Sequence, residues 1–130
     1  MLIPDNLRYS KTHEWVVFID GKARVGLTDY AQDALGDIVF FNLPEIGAEV
    51  GAGDAVGEVE SVKAVSEICA PVSGTVREVN EKLLDAPELV NSAPYEAWVY
   101  VVGLGEGAPD FGALLTPEQY AEFCGEEAHG

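Results

Sequence analysis

Residues 55 to 72 leave this chain few choices of fold. Two runs with strand character, Ala55 to Ser61 and Val65 to Val72, meet at a reversal over Val62-Lys63 that contains neither glycine nor proline. Type I turns accept most residue types at their central positions, so the bend needs neither. The pair predicts a β-hairpin with one lysine at its apex, directed into solvent. Four carboxylates are close in sequence, Asp54, Glu58, Glu60 and Glu67. Neighbouring anions favour the ammonium form of an amine. A lysine that attacks substrates needs the opposite setting, burial or nearby cations that release the free amine. Lys63 is placed instead to be grasped and acylated by another enzyme.

The rest of the chain reads as short strands separated by close turns. Fourteen glycines and seven prolines punctuate it throughout. Leu7 to Tyr9 is an expected edge strand. His13 to Ile19 is rich in β-formers and ends at Asp20-Gly21, a strong hairpin signal, with Ala23 to Leu27 returning beside it. A short helix follows over Thr28 to Gly36, with Thr28 as its N-cap, Asp29 at the positive end of its dipole and Gly36 as its stop. Further strands are expected over Asp37 to Leu43, Thr75 to Val79 and Trp98 to Val102. Asn80 should cap one or two helical turns, and Pro87 to Asn91 has helical character. Gly103 to Gly112 reads as a flexible loop. Thr116-Pro117-Glu118-Gln119 is a capping box with proline at the first helical position, and Leu115 and Tyr120 are spaced as a hydrophobic staple. This C-terminal helix is expected over about 116–125, with Gly125 ending it and an apolar face of Tyr120, Phe123 and Cys124. Many short strands with only short helices indicate an all-β sandwich or flattened barrel. Length predicts one domain over 1–130, with the hairpin tip at 60–65.

Charge narrows the partners. Seven Lys+Arg stand against 23 Asp+Glu, a net charge of -16. Such a field repels nucleic acid and anionic membranes and attracts basic docking faces, although acidity can also serve solubility alone. Met1 to Tyr9 shows no basic segment followed by an apolar core, so no signal peptide is expected. The longest apolar run, Trp98 to Leu104, falls far short of the ~20 residues of a membrane helix. Cys69 and Cys124 show no recognised spacing and are expected to be reduced, Cys69 as a quiet, partly buried thiol. His13 and His129 are the only histidines and lack metal-ligand spacing, so no metal site is expected.

Several ordered motifs carry a resemblance to a known family. They are His13-Glu14-Trp15, Gly26 to Gln32, Leu35 to Phe40, Leu43-Pro44, Val59 to Ala64, Ala70 to Gly74 and Leu89-Val90-Asn91. Together they resemble the H protein of the glycine cleavage system, a free-standing lipoyl carrier, from about Tyr9 to the C-terminal helix. The chain departs from the family at Pro94 to Trp98, which lacks the glycine-flanked spacing before tryptophan, and at Phe111 to Leu115.

The resemblance implies a barrel-sandwich hybrid fold, with lipoic acid in amide linkage on Lys63. Glu60, Ser61, Val62 and Ala64 are then the candidate recognition turn for lipoate-attaching enzymes, or simply good hairpin flanks. Glu14 becomes a candidate wall of a groove that shelters the loaded arm from water. The implied role is that of a non-catalytic shuttle. A pyridoxal-phosphate glycine decarboxylase (P protein) loads an aminomethyl group, a tetrahydrofolate-dependent aminomethyltransferase (T protein) removes it, and dihydrolipoyl dehydrogenase (L protein) reoxidises the arm. A further role as lipoyl donor to other carriers is compatible. The implied setting is a monomer in bacterial-type cytoplasm, or in the mitochondrial matrix if a transit peptide has been removed.

Rival readings make different demands. A biotinyl carrier normally flanks its lysine with methionines, whereas Val62 and Ala64 flank Lys63 and Met1 is the only methionine. A lipoyl domain of a 2-oxoacid dehydrogenase usually belongs to a longer chain with Pro/Ala-rich linkers. An enzyme using Lys63 covalently conflicts with its acidic neighbours. An unmodified acidic interaction module differs from a carrier by the intact mass of protein taken from its native host.

Overall fold

In the computed structural model, which describes residues 2–104 and 114–129, β1 (Arg8–Tyr9), β2 (Glu14–Ile19) and β3 (Lys22–Leu27) form an antiparallel meander. The β2–β3 turn is the expected one. Asp20 and Gly21 have φ of 50° and 75°, the two positive values that the tightest hairpin turns require. α1 (Asp29–Leu35) starts where the Thr28 hydroxyl accepts the Ala31 N–H at 3.1 Å, and it ends at Gly36. Then come β4 (Ile38–Asn42), β5 (Glu49–Val50), β6 (Ala55–Ser61), β7 (Val65–Cys69) and β8 (Gly74–Val79). Two single-turn helices, α2 (Lys82–Asp85) and α3 (Leu89–Ser92), precede β9 (Tyr100–Gly103) and the long α4 (Pro117–His129).

The strands make two open antiparallel sheets, ordered β1-β2-β3-β9-β8-β5 and β4-β6-β7. Both feed one apolar core. Val16, Val25, Tyr100 and Val102 come from the larger sheet, Phe41, Val59 and Ile68 from the smaller, and Leu83 and Val90 from the single-turn helices. This is the β-rich sandwich with short helices that the sequence implied. Strand alternation would leave one face of β2 wet. Yet Trp15 and Val16, adjacent and on opposite faces, are both buried. Val16 packs in the main core, while Trp15 joins Leu7, Tyr9, Tyr120 and Cys124 in a second cluster under α4. The Tyr9 and Tyr120 rings stack there at 4.6 Å. Fully burying a large apolar side chain stabilises by about 1.5–3 kcal/mol, so this cluster is what holds α4 down. Opposite Trp15 stands Gly26, and a Cβ at Gly26 would overlap the indole.

Several strand ends differ from the sequence-based expectation by one residue, and three boundaries differ by more. The second hairpin strand stops at Cys69, short of Val72, because the Ala70 N–H turns to the Asp54 carbonyl and Pro71 has no N–H to offer. β9 begins at Tyr100, later than Trp98, because the Trp98 N–H bonds locally to the Glu96 carbonyl. α4 continues through Gly125 to His129. Glycine weakens a helix interior without forbidding it, and nothing lies within 4 Å of where a Gly125 side chain would start. The capping box is realised in full: Gln119 N–H donates to the Thr116 hydroxyl at 3.2 Å, and Thr116 N–H donates to Gln119 Oε1 at 3.0 Å. Asn80 Oδ1 accepts the Lys82 N–H at 3.3 Å, as its capping role required. The loop expected over Gly103 to Gly112 lies largely outside the described residues.

Candidate functional site

The β6–β7 reversal is closed by a side chain. Ser61 N–H donates to the Ala64 carbonyl at 2.8 Å, as in any narrow hairpin. The return bonds go to the Ser61 hydroxyl, which accepts from Ala64 N–H at 3.1 Å and Lys63 N–H at 3.3 Å. A serine oxygen thus does what a glycine-based turn does with backbone alone. This explains a sharp bend without glycine or proline. Ser61 is buried, whereas Val62, Lys63 and Ala64 are exposed.

The tip is also tied to the body of the protein. Val62 N–H donates to the Asp37 carbonyl at 3.0 Å. The methylene stem of Lys63 passes beside Gly36, where a Cβ would sit 3.5 Å from Lys63 Cε. Gly36 has φ 77° and ψ -151°, a conformation that only glycine adopts freely. The lysine therefore leaves a braced turn with its amine outermost. Sequence reasoning found the hairpin and missed its brace, because nothing in local patterning links residue 37 to residue 62.

Around the tip the surface is unusually apolar. In the smaller sheet Glu60 pairs with Phe40 on one side and Val65 on the other, so these three form one row. Val39 is the extra residue of a β-bulge beside them. Val39, Phe40, Val62 and Val65 are all at least half exposed, in a chain with net charge -16. Clustered exposed apolar side chains mark interaction surfaces. Glu60, half-buried between Phe40 and Val65, sits among them.

Beside the hairpin lies a cleft of about 160 Å³ between β2, α1, β6 and β7. Leu27, Tyr30, Ala31, Leu35 and Val59 supply apolar walls, and Thr12, Glu14 and Glu67 supply polar atoms. Glu14, the candidate from the His13-Glu14-Trp15 motif, lines this cleft together with Glu67, which the sequence offers only as one of the carboxylates near Lys63. Glu14 accepts hydrogen bonds from the Ser10 hydroxyl at 2.7 Å, from the Thr12 hydroxyl, and from Cys69 N–H at 3.3 Å. Burial nonetheless outweighs those bonds and pushes its carboxyl up to about 7. His13 also lines the cleft. Its ring stacks on Tyr30 at 4.4 Å, and its Nδ1 shares a 2.8 Å hydrogen bond with Tyr120 OH of α4. Burial, then the charge of Glu14, raises the Cys69 thiol, which fits the quiet role expected of it.

A family model described as glycine cleavage H-protein matches residues 7–127. The chain is 56% identical over 128 residues to the glycine cleavage system H protein of Bacillus velezensis, covering 98% of this chain and all of that protein. It is 55% identical over 128 residues to the protein of the same name from Bacillus subtilis, with the same coverage. A solved structure, a glycine cleavage system H protein from Mycobacterium marinum, superposes with a TM-score of 0.81 at 41% identity, covering 97% of this chain and 99% of that one. The chain belongs to the glycine cleavage H-protein family.

Proposed function

We propose that Lys63 bears lipoic acid in amide linkage and that the chain is a non-catalytic carrier, moving the aminomethyl group of glycine between the enzymes of the glycine cleavage system. The observation that carries this reading is the placement of Lys63, an exposed amine on a turn braced at Ser61 and Asp37, in a chain of this family. The residues present fit the group. The amine is open to an acylating enzyme, and the neighbouring cleft has the apolar walls and carboxylates that a flexible arm ending in a cationic cargo would need. When attached, the group supplies a disulfide that accepts electrons and a one-carbon fragment together.

What this chain contributes is presentation and shelter. Ser61 and the Asp37 carbonyl hold the turn rigid, so the arm pivots from a fixed point. Val62, Ala64, Glu60 and the exposed Phe40 and Val65 surround the amine and form the recognition surface for lipoate-attaching enzymes. Glu67, and Glu14 once it has lost its proton, face the cleft and stabilise an ammonium there, while Leu27, Tyr30 and Leu35 line it with apolar surface. The partners are the decarboxylase, the aminomethyltransferase and dihydrolipoyl dehydrogenase. The two curated relatives named above are Bacillus proteins, and the proposed setting is accordingly cytoplasmic.

The test is a reconstitution of glycine cleavage from the purified partner enzymes. Wild-type protein from its native host should carry a lipoyl mass on the Lys63 peptide and support turnover. Lys63→Arg should fold normally, remain unmodified and support none. Turnover by the unmodified Lys63→Arg protein would end the carrier reading.

A further inference from the structure

The bond from Val62 N–H to the Asp37 carbonyl needs Asp37 itself to be held still, and one side chain does that. Asn91 lies on α3, distant in sequence from both. Its Oδ1 accepts Ile38 N–H at 2.9 Å, and its Nδ2 donates to the Gly36 carbonyl at 2.8 Å and to Gln32 Oε1 at 3.1 Å. The amide therefore grips the backbone on both sides of Asp37. It takes the acceptor after α1 ends and the donor where β4 begins. Between these fixed points the Asp37 carbonyl is aimed at Val62, one residue before the lysine.

The chemistry requires asparagine or something very like it. Gly36 C=O and Ile38 N–H are opposite in polarity and close together, so the gripping group must donate and accept at once. Aspartate would accept from Ile38 but place negative charge against two oxygens. Alanine would leave both backbone groups without their partner. Gly36 adds to the requirement, since at φ 77° its peptide is turned away from helical geometry and gets no support from the α1 ladder beyond its own N–H to the Gln32 carbonyl.

We propose that Asn91 is a positioning residue for the Lys63 turn, holding Gly36 and Ile38 so that the Asp37 carbonyl keeps Val62 and the lysine in the orientation an acylating enzyme requires. Its consequence for acylation rests on the carrier reading above; the clamp itself does not. Leu89-Val90-Asn91 is one of the motifs that carry the family resemblance, and the carrier role alone assigns it no task.

Amide hydrogen exchange by NMR tests the clamp directly. In the wild type, Val62 and Ile38 amides should be protected to similar degrees and open together, while the Lys63 and Ala64 amides follow Ser61. Asn91→Ala should speed exchange at Val62 roughly tenfold, the effect of losing about one hydrogen bond's net support. It should also lower kcat/KM for acylation of the apo-protein, using lipoate, ATP and a lipoate ligase, by about threefold to tenfold. Val76→Ala, a truncation in the core under β8, should lower melting temperature without either local effect. If both variants slow acylation in proportion to lost stability, or if Asn91→Ala leaves Val62 exchange within about twofold of wild type, Asn91 only supports the fold and the proposal fails. Should Asn91→Ala not fold, the wild-type protein still decides: a Val62 amide exchanging as freely as an exposed one overturns the clamp. A wild type that accepts no lipoyl group sinks the carrier reading and leaves the exchange result standing.

Discussion

The Glu14 carboxyl, on the larger sheet, accepts the backbone N–H of Cys69, on the smaller sheet, at 3.3 Å. The bond crosses the sandwich between residues 55 apart in the chain. Glu14 is only 1% exposed, so its carboxyl is both a fastening between the sheets and a wall of the cleft. A buried acid in two roles makes different demands at different pH.

Folded Glu14 keeps its proton up to about pH 7, whereas the ordinary carboxyl value is 4.5. Between those values the folded state binds the extra proton, so this group favours folding fully below about pH 4.5 and loses that contribution as pH rises through 7. The loss is on the order of 3 kcal/mol. Glu14→Gln keeps the shape and an accepting oxygen without an ionisable proton. Urea unfolding of both proteins from pH 5 to pH 8 should show the variant gaining on the wild type by about that amount. A difference that stays flat across the series would contradict the buried-proton account.

Ser61 makes a second prediction because its hydroxyl stands in for backbone. Ser61→Ala removes the acceptor for Lys63 and Ala64 N–H. Unfolding free energy should fall by about 1 kcal/mol. Acylation of Lys63 should slow by more than that global change accounts for, since the damage is confined to the tip. Ser61→Thr retains the oxygen and should recover most of both losses.

Tyr120 joins α4 to the cleft. Its hydroxyl contacts Thr28 Oγ1 at 2.7 Å and His13 Nδ1 at 2.8 Å, so one atom links the C-terminal helix, the α1 cap and a cleft wall. Tyr120→Phe keeps the stacked ring against Tyr9 and removes that link together with the hydroxyl's contact to Cys124 within α4. The expected cost is about 1–2 kcal/mol. Circular dichroism should show unchanged helix content, because Thr28 still caps α1 through Ala31 N–H. A substantial loss of helix would mean that the hydroxyl, more than the ring, anchors α4.

Local chemistry explains which of these features could be read from sequence. The Asp20-Gly21 turn, the Thr28 and Gly36 caps, the Thr116 capping box and the Lys63 apex each depend on a few adjacent residues. All stand as expected. Glu14 was legible as a cleft candidate only through its family motif. Its burial, and the approach of Glu67, depend on the smaller sheet closing over β2. The brace from Asp37 to Val62 is a backbone-to-backbone bond, invisible to residue type. Gly125 was misread because glycine is a stop signal only where the chain has reason to turn.

The cleft gives the last prediction. Glu14, buried, and Glu67, exposed at its mouth, are the carboxylates among its described walls, with apolar side chains beside them. Above about pH 7, where Glu14 has lost its proton, an ammonium carried into it would be held by charge-assisted hydrogen bonds, stronger at the buried Glu14 than at the exposed Glu67. Glu14→Ala should therefore shorten the lifetime of the aminomethyl-loaded protein, measured in the absence of folate, by roughly tenfold or more. It should leave lipoylation intact, because Glu14 lies in the cleft and away from the exposed tip. Glu67→Ala should act in the same direction, and the double variant should lose less than the product of the two effects, since both carboxylates would serve one cation. An unchanged lifetime in Glu14→Ala would mean that the loaded arm is sheltered somewhere else on the molecule, or is not sheltered at all.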